Sequence, residues 1–274
     1  MWRRYRTIVS LLLGAVALYF GAASYVLHFQ MNRILFPGTS SFQGPAAEAT
    51  SRFQSKAGNE LLVRRYGPAN VGCVVFFPGQ HGATAAYSFT DYTDAGLAVF
   101  SLAYPGQDGA SGRTDLDEIE GLVGEAIAEV RSECPSTRTV FVGVSLGAML
   151  ATYASRDAHP AGLVLTSAAP TLSAALRVRL RSRLLSTPVS GLPLSELLSH
   201  DYSLAEGLGH SPHTRVVIFQ GTLDEQTPIE LLRNSGILDA NVRLVSVPGG
   251  THSTTFVLSR DLQLVTVLNL IQGE

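Results

Sequence analysis

Charge is scarce in this sequence. Lysine, arginine, aspartate and glutamate make up 15% of its 274 residues and sum to a net charge of −2. That balance leaves no basic face of the kind that neutralises nucleic-acid phosphates, and no acidic tail. A chain that is 46% hydrophobic has the apolar surface a large core needs and is not intrinsically disordered. Cysteine is scarcer still. Cys73 and Cys134 stand alone, without the spacing of a metal site, so no metal and no other cofactor is expected. No segment repeats and none is of low complexity, which excludes solenoid and propeller arrays.

What is there begins with an apolar N-terminus. Met1 to Arg6 reads M-W-R-R-Y-R, and from Thr7 to Phe29 only tyrosine hydroxyls and His28 ionise. About 23 residues at 1.5 Å each are enough to cross a hydrocarbon core of roughly 30 Å. Residues 1–29 are therefore read as a single-pass membrane anchor, its arginines cytoplasmic and the rest of the chain outside or in a lumen. The rival is a cleaved signal peptide, since Gly21-Ala22-Ala23-Ser24 offers small residues for a peptidase. The apolar run exceeds a signal core and continues through Tyr25-Val26-Leu27, which favours the anchor. Both readings export the domain.

Residues 30–50 read as a linker, broken by Pro37-Gly38 and Gly44-Pro45. Residues 51–274 read as one α/β domain. Strand-like runs are expected at Arg52–Ser55, Leu61–Tyr66, Cys73–Phe77, Leu97–Tyr104, Thr139–Val144, Gly162–Ser167, Arg215–Gln220 and Val242–Val247. They alternate with helices at Leu116–Cys134, Leu146–Arg156 and Thr254–Ile271. Near-continuous apolar strands between helices mean a mostly parallel sheet covered on both faces. Chemistry in such a sheet sits in the loops at the strands' carboxyl ends. Residues 171–213 break the alternation. Arg177, Arg179, Arg181 and Arg183 on alternate positions would half-charge a strand, so the stretch is read as a short helical cap.

Gly143-Val144-Ser145-Leu146-Gly147 matches G-x-S-x-G between a β-branched strand and a helix. Small residues two before and two after the serine let strand and helix approach, while the serine takes a strained turn as nucleophile. A glycine-rich structural turn is the bland alternative. A serine alcohol needs a base, and on such an elbow the acid and then the histidine follow in sequence. His252, in Pro248-Gly249-Gly250-Thr251-His252, follows a strand directly. Asp224 follows Gly221-Thr222-Leu223 after another strand and would orient the imidazole; Glu225 competes. His28, His159, His200, His210 and His213 fit less well. The tetrahedral oxyanion needs backbone donors, here the N–H of Leu146 and that of Gln80 in the loop Phe76-Phe77-Pro78-Gly79-Gln80-His81-Gly82. His81 could touch substrate or be a plain turn residue.

With these motifs in order, the chain from about residue 50 onward resembles the α/β-hydrolase superfamily. Phe76-Phe77-Pro78-Gly79 resembles its oxyanion loop, with Pro78 where a histidine is usual. Tyr104-Pro105-Gly106-Gln107-Asp108-Gly109-Ala110-Ser111-Gly112 resembles its Y-P-G-x-G-x-S-x-G turn, interrupted at Gln107-Asp108. Leu35-Phe36-Pro37 is similar to the L-x-F-P segment of membrane-anchored members, often grouped with serine aminopeptidase-like and acylglycerol or acyl-protein hydrolases. The resemblance implies an α/β-hydrolase fold in which the strands begun by Cys73 and preceded by Cys134 are neighbours. Both cysteines would then lie at the sheet's amino-terminal edge, as a disulfide or as two buried thiols.

The activity expected is that of a serine esterase or lipase-like acyl hydrolase, cleaving ester or thioester bonds through an acyl-enzyme. Its partners would be a small or lipid-like acyl substrate and the membrane, not nucleic acid. A serine exopeptidase and a non-catalytic scaffold are the alternatives. Haloalkane or epoxide chemistry is disfavoured, since it needs a carboxylate where Ser145 stands.

Overall fold

Strands apolar at every position need cover on both faces, and the fold supplies it. The computed structural model describes residues 2–38, 44–80, 84, 87–209 and 213–273. Its eight strands are β1 (Ala49–Gln54), β2 (Glu60–Tyr66), β3 (Gly72–Phe77), β4 (Leu97–Ala103), β5 (Thr139–Val144), β6 (Gly162–Thr166), β7 (Arg215–Gly221) and β8 (Val242–Val247). They form one sheet in the order β1-β2-β4-β3-β5-β6-β7-β8. β2 pairs antiparallel with β1 and β4; every pairing from β4 through β8 is parallel. This is the mostly parallel sheet expected, with an antiparallel margin.

The side-chain alternation of a strand divides the core in two. Cys73, Val75 and Phe77 of β3 pack with the helices α4 (Leu116–Glu133) and α5 (Leu146–Ala158). Val74 and Phe76 pack on the other face with α3 (Thr90–Asp94), α10 (Thr255–Leu258) and α11 (Arg260–Gln272). The 3- and 4-residue spacing of α4 puts Leu116, Ile119, Leu122, Val123, Ile127 and Val130 in the core, none more than 5% exposed. Each such side chain contributes about 2 kcal/mol by leaving water.

The N-terminal helix α1 (Trp2–Phe29) carries exposed Leu11, Leu12, Leu13, Val16 and Leu18. From Tyr5 to Phe29, 25 residues at a mean hydropathy of 1.9, it is the one helix among the described residues long and apolar enough to cross a membrane. Within 30–50, the short helix α2 (Met31–Leu35) follows at once. Its Met31 and Leu35, with Phe36, are buried in the core of the α/β domain. Proline and glycine dominate the local pattern there, and a five-residue helix that packs at two positions leaves no period to read.

Residues 171–213 hold α6 (Leu172–Arg181), α7 (Leu194–Leu197) and α8 (Leu204–Gly209), with a 3₁₀ turn at Thr187–Gly191; α9 (Ile229–Arg233) follows β7. The helix expected over 254–271 is divided at Ser259 into α10 and α11. The buried Gln263 amide donates to the Phe256 carbonyl at 3.1 Å, a group the break releases, and to Ser259 Oγ at 2.7 Å. Cys73 and Cys134 are joined as a disulfide across a Cα–Cα distance of 6.2 Å.

Candidate active site

Ser145 sits between β5 and α5 with φ 54° and ψ −117°. A non-glycine residue held there costs of the order of 1–3 kcal/mol and persists only when its surroundings enforce it. The Ser145 N–H donates to the Thr166 carbonyl at 2.8 Å, and Ala148 N–H donates to the Ser145 carbonyl at 3.0 Å. Gly147 shows why the spacing is strict. A Cβ built on it would lie 2.2 Å from the Phe77 carbonyl oxygen and 2.3 Å from that of Pro78, so the first turn of α5 rests directly on the end of β3.

The structure brings the three candidate side chains into succession. Ser145 Oγ is 2.9 Å from His252 Nε2. His252 Nδ1 is 3.0 and 3.1 Å from the two Asp224 carboxylate oxygens. A carboxylate at Nδ1 selects the tautomer with its proton there, leaving Nε2 free to accept from the serine hydroxyl. The loops meet because Gly221 has no side chain: a Cβ on it would fall 2.2 Å from the Gly250 carbonyl oxygen.

Asp224 is buried, and its carboxylate is heavily bonded. Oδ1 accepts from the N–H groups of Gln226 and Thr227 at 2.9 and 2.8 Å, and Oδ2 from the Thr227 hydroxyl at 2.8 Å and Gln220 Nε2 at 3.1 Å. Burial by itself would raise its pKa. The hydrogen bond and charge of His252, with the Thr227 bonds, outweigh that and hold the carboxyl below the ordinary aspartate range. Glu225, the competitor, is exposed.

Leu146 is the first residue of α5, where backbone N–H groups have no partner inside the helix. The loop carrying Gln80 is braced at three successive residues. The Tyr104 hydroxyl donates to the Pro78 carbonyl at 3.2 Å. The Tyr87 hydroxyl lies against Gly79, and burial pushes that phenol up to about 12. Gln107 Nε2 donates to the Gln80 carbonyl at 2.7 Å. A Cβ on Gly79 would be 3.6 Å from Ser145 Cβ, so the loop lies beside the serine.

A pocket opens over these groups, walled by Ile34, Leu35, Leu146, Met149, Leu172, Ala175 and Leu176, with Gln80, Arg179, Gln226 and Thr227 as its polar lining. The Gln80 amide donates to the Ile34 carbonyl at 2.7 Å and accepts from Arg179 at 3.2 Å, tying the stretch after α1 to the cap. Sequence patterns missed Thr227, Ser167, Gln107 and Tyr87. Ser167 has a positive φ of 51° and its hydroxyl donates to the His252 carbonyl at 3.2 Å. Thr227 Oγ1 is 3.2 Å from His252 Nδ1. Both follow strand carboxyl ends, the one signal that could have marked them.

The other histidines lie elsewhere. His28 bonds the Leu197 carbonyl at 3.1 Å. His159 ends α5 in a left-handed conformation. His200 is 3.5 Å from Glu120, and His213 is exposed before β7. His81 and His210 fall outside the described residues. Among the described residues no group of three or more His, Cys, Asp or Glu side chains could hold a metal ion.

Residues 74–210 match the model of the Alpha/beta hydrolase family. No curated protein matches the chain. Among solved structures it is similar to an esterase of Pyrococcus furiosus, Pf2001, at 13% identity and a TM-score of 0.63, covering 86% of this chain and 98% of that one. It is similar to a thioesterase domain from the curacin biosynthetic pathway at 16% identity and a TM-score of 0.56, covering 81% and 100%. It is also similar to a bromoperoxidase from Bacillus anthracis at 14% identity and a TM-score of 0.61, covering 82% and 100%. Likeness at these identities shows the fold and not the reaction.

Proposed function

The chain belongs to the alpha/beta hydrolase family, and from that premise we propose that it is a serine hydrolase of acyl esters or thioesters. The observation that carries the reading is the chain of contacts Ser145 Oγ–His252 Nε2 at 2.9 Å and His252 Nδ1–Asp224 at 3.0 Å. Esterase and thioesterase relatives of the same fold agree with it.

In this reading Ser145 Oγ attacks the acyl carbonyl while its proton passes to His252 Nε2. Asp224 holds the ring and stabilises its charged form without taking the proton. The oxyanion is met by the N–H groups of Leu146 and Gln80, each such donor being worth about 10²–10³ in rate. The alcohol or thiol leaves with the proton from His252, and acyl-Ser145 remains. Water, deprotonated by the same ring, releases the acid. The apolar wall from Leu35 to Leu176 suits an acyl chain. The described residues lining that pocket include no carboxylate, so a peptide's free ammonium finds no counter-ion there, which weighs against an exopeptidase.

We further propose that α1 is a retained anchor, with its arginines cytoplasmic and the α/β domain on the far side. Intact mass of the membrane-bound protein decides between anchor and signal peptide, because cleavage after Ala23 would remove the apolar span. The chemistry is tested with a fluorophosphonate probe and a series of acyl esters and thioesters. Labelling at Ser145 and turnover, both lost in Ser145→Ala with folding intact, are the expected results. Failure of the label and of every activated ester would leave a non-catalytic binding protein.

A further inference from the structure

Leu184 and Leu185, in the turn that follows α6, are 89% and 85% exposed. No other large apolar side chain among the described residues is as exposed. The turn does not stand free of α1. The Tyr19 hydroxyl donates to the Leu185 carbonyl, and the His28 ring donates to the Leu197 carbonyl at 3.1 Å. The cap therefore lies along the last third of the apolar helix, from Tyr19 to His28.

Depth follows from helix geometry. With Arg6 at the cytoplasmic surface, hydrocarbon begins near Thr7. Tyr19 is then roughly 18 Å along the helix, leaving about 12 Å of a core roughly 30 Å thick still ahead. Tilting the helix shortens its vertical travel and leaves Tyr19 deeper. A group bonded to Tyr19 is thus below the outer boundary of the hydrocarbon.

We propose that the cap turn at Leu184 and Leu185 is embedded in the outer leaflet of the same membrane that α1 crosses, with lipid as the occupant of this exposed patch. The proposal rests on reading α1 as a retained anchor. It accounts for two leucines presented to the outside at a turn, where water would penalise them. Arg181 and Arg183, both exposed beside them, have long stems that can stay in the apolar layer while their guanidinium groups reach anionic phosphates. The embedded turn would also set the mouth of the pocket against lipid. Helix α6 carries the turn at one end and lines the pocket with Leu172, Ala175 and Leu176; Ile34, just beyond α1, lines the same pocket. An acyl ester resident in the leaflet would then reach Ser145 without crossing bulk water.

The test is a depth measurement on the full chain in phosphatidylcholine vesicles. Both natural cysteines are paired, so a Leu185→Cys variant carries the only reactive thiol for an environment-sensitive fluorophore. Ala240→Cys, exposed just before the amino end of β8, is the reference. The label at position 185 is expected to shift to the blue and to lose most of its emission when lipids brominated on their chains replace ordinary ones, while the label at 240 does neither. Equal emission at the two sites, in protein that still resists alkaline extraction from the vesicles, overturns the embedded turn and leaves the anchor standing. Alkaline extraction of the protein overturns the anchor reading and the proposal with it. A disulfide between two Leu185→Cys chains without quenching assigns the patch to a second copy and overturns it as well.

Discussion

The buried Gln107 amide donates to the Gln80 carbonyl at 2.7 Å, so a residue from the turn after β4 holds the loop proposed to receive the oxyanion. Gln107 occupies one of the two positions where the sequence interrupts the family's glycine-rich turn. Its place is taken up by positioning rather than by contact with the reacting atoms.

Removing that bond should therefore show as a rate effect. Gln107→Leu keeps the volume and deletes the donor, freeing the loop to drift. The expected result is a kcat lower by about tenfold, the equivalent of one hydrogen bond near 1.4 kcal/mol, with KM changed little. Steady-state kinetics on a short-chain p-nitrophenyl ester read the split. A fall in melting temperature with kcat intact would make Gln107 a packing residue only.

Asp224 predicts a particular acid limb. Its folded pKa is depressed, so its contribution to stability is fully present above the unfolded value of about 3.9 and is lost as pH falls through the lower folded value. The native protein should lose melting temperature on acidification below about pH 4, and Asp224→Asn should flatten that dependence. In the same variant the imidazole loses the partner that selects its tautomer, and kcat should fall by about 10⁴. Thermal melts against pH, with kinetics at neutral pH, check both parts.

How much of this was legible in sequence depends on distance along the chain. The elbow announces itself because Gly143, Ser145 and Gly147 act within one turn of backbone, and Asp224 and His252 each directly follow a strand with a readable apolar run. Thr227, Ser167 and Gln107 work through contacts that span 25, 85 and 27 residues, and nothing periodic links such partners. Met31 and Leu35 carry no signal in a sequence segment that reads as a linker, for a related reason: helix α2 is too short to show a period, and it is held by tertiary packing. The strands and long helices, by contrast, lie within about two residues of their expected bounds, the usual uncertainty of an element's end, apart from β1, which begins three residues before Arg52, and the last helix, which breaks at Ser259.

Asp108, the other interrupting residue, is set to hold charge rather than to bind substrate. Its carboxylate is 3.3 Å from Arg64 Nη1, with both side chains under 10% exposed, and it accepts from the Thr84 N–H at 3.4 Å. Asp108 has φ 50°, which asparagine tolerates. Asp108→Asn thus preserves shape and backbone while leaving Arg64 with less compensation. A buried pair broken from one side costs about 3–5 kcal/mol, and the lower end is expected here because the amide oxygen still accepts. Chemical denaturation should show the loss, with Ser145 labelling retained in the folded fraction.

The disulfide separates stability from chemistry. Cys73, the second residue of β3, pairs in register with Thr139, the first residue of β5, so the bridge lies at the amino end of the sheet, while Ser145 lies at the carboxyl end. It closes a sequence separation of 61 residues, and the loop entropy removed from the unfolded chain is worth about 4 kcal/mol. The double variant Cys73→Ala/Cys134→Ala should melt roughly 10 °C lower with kcat unchanged. Because the two residues are 0% and 2% exposed, a reductant added to the native protein should act only as fast as the domain opens. Thiol trapping during thermal unfolding should then track the melting curve; rapid reduction at temperatures far below the melt would mean that this end of the sheet opens on its own.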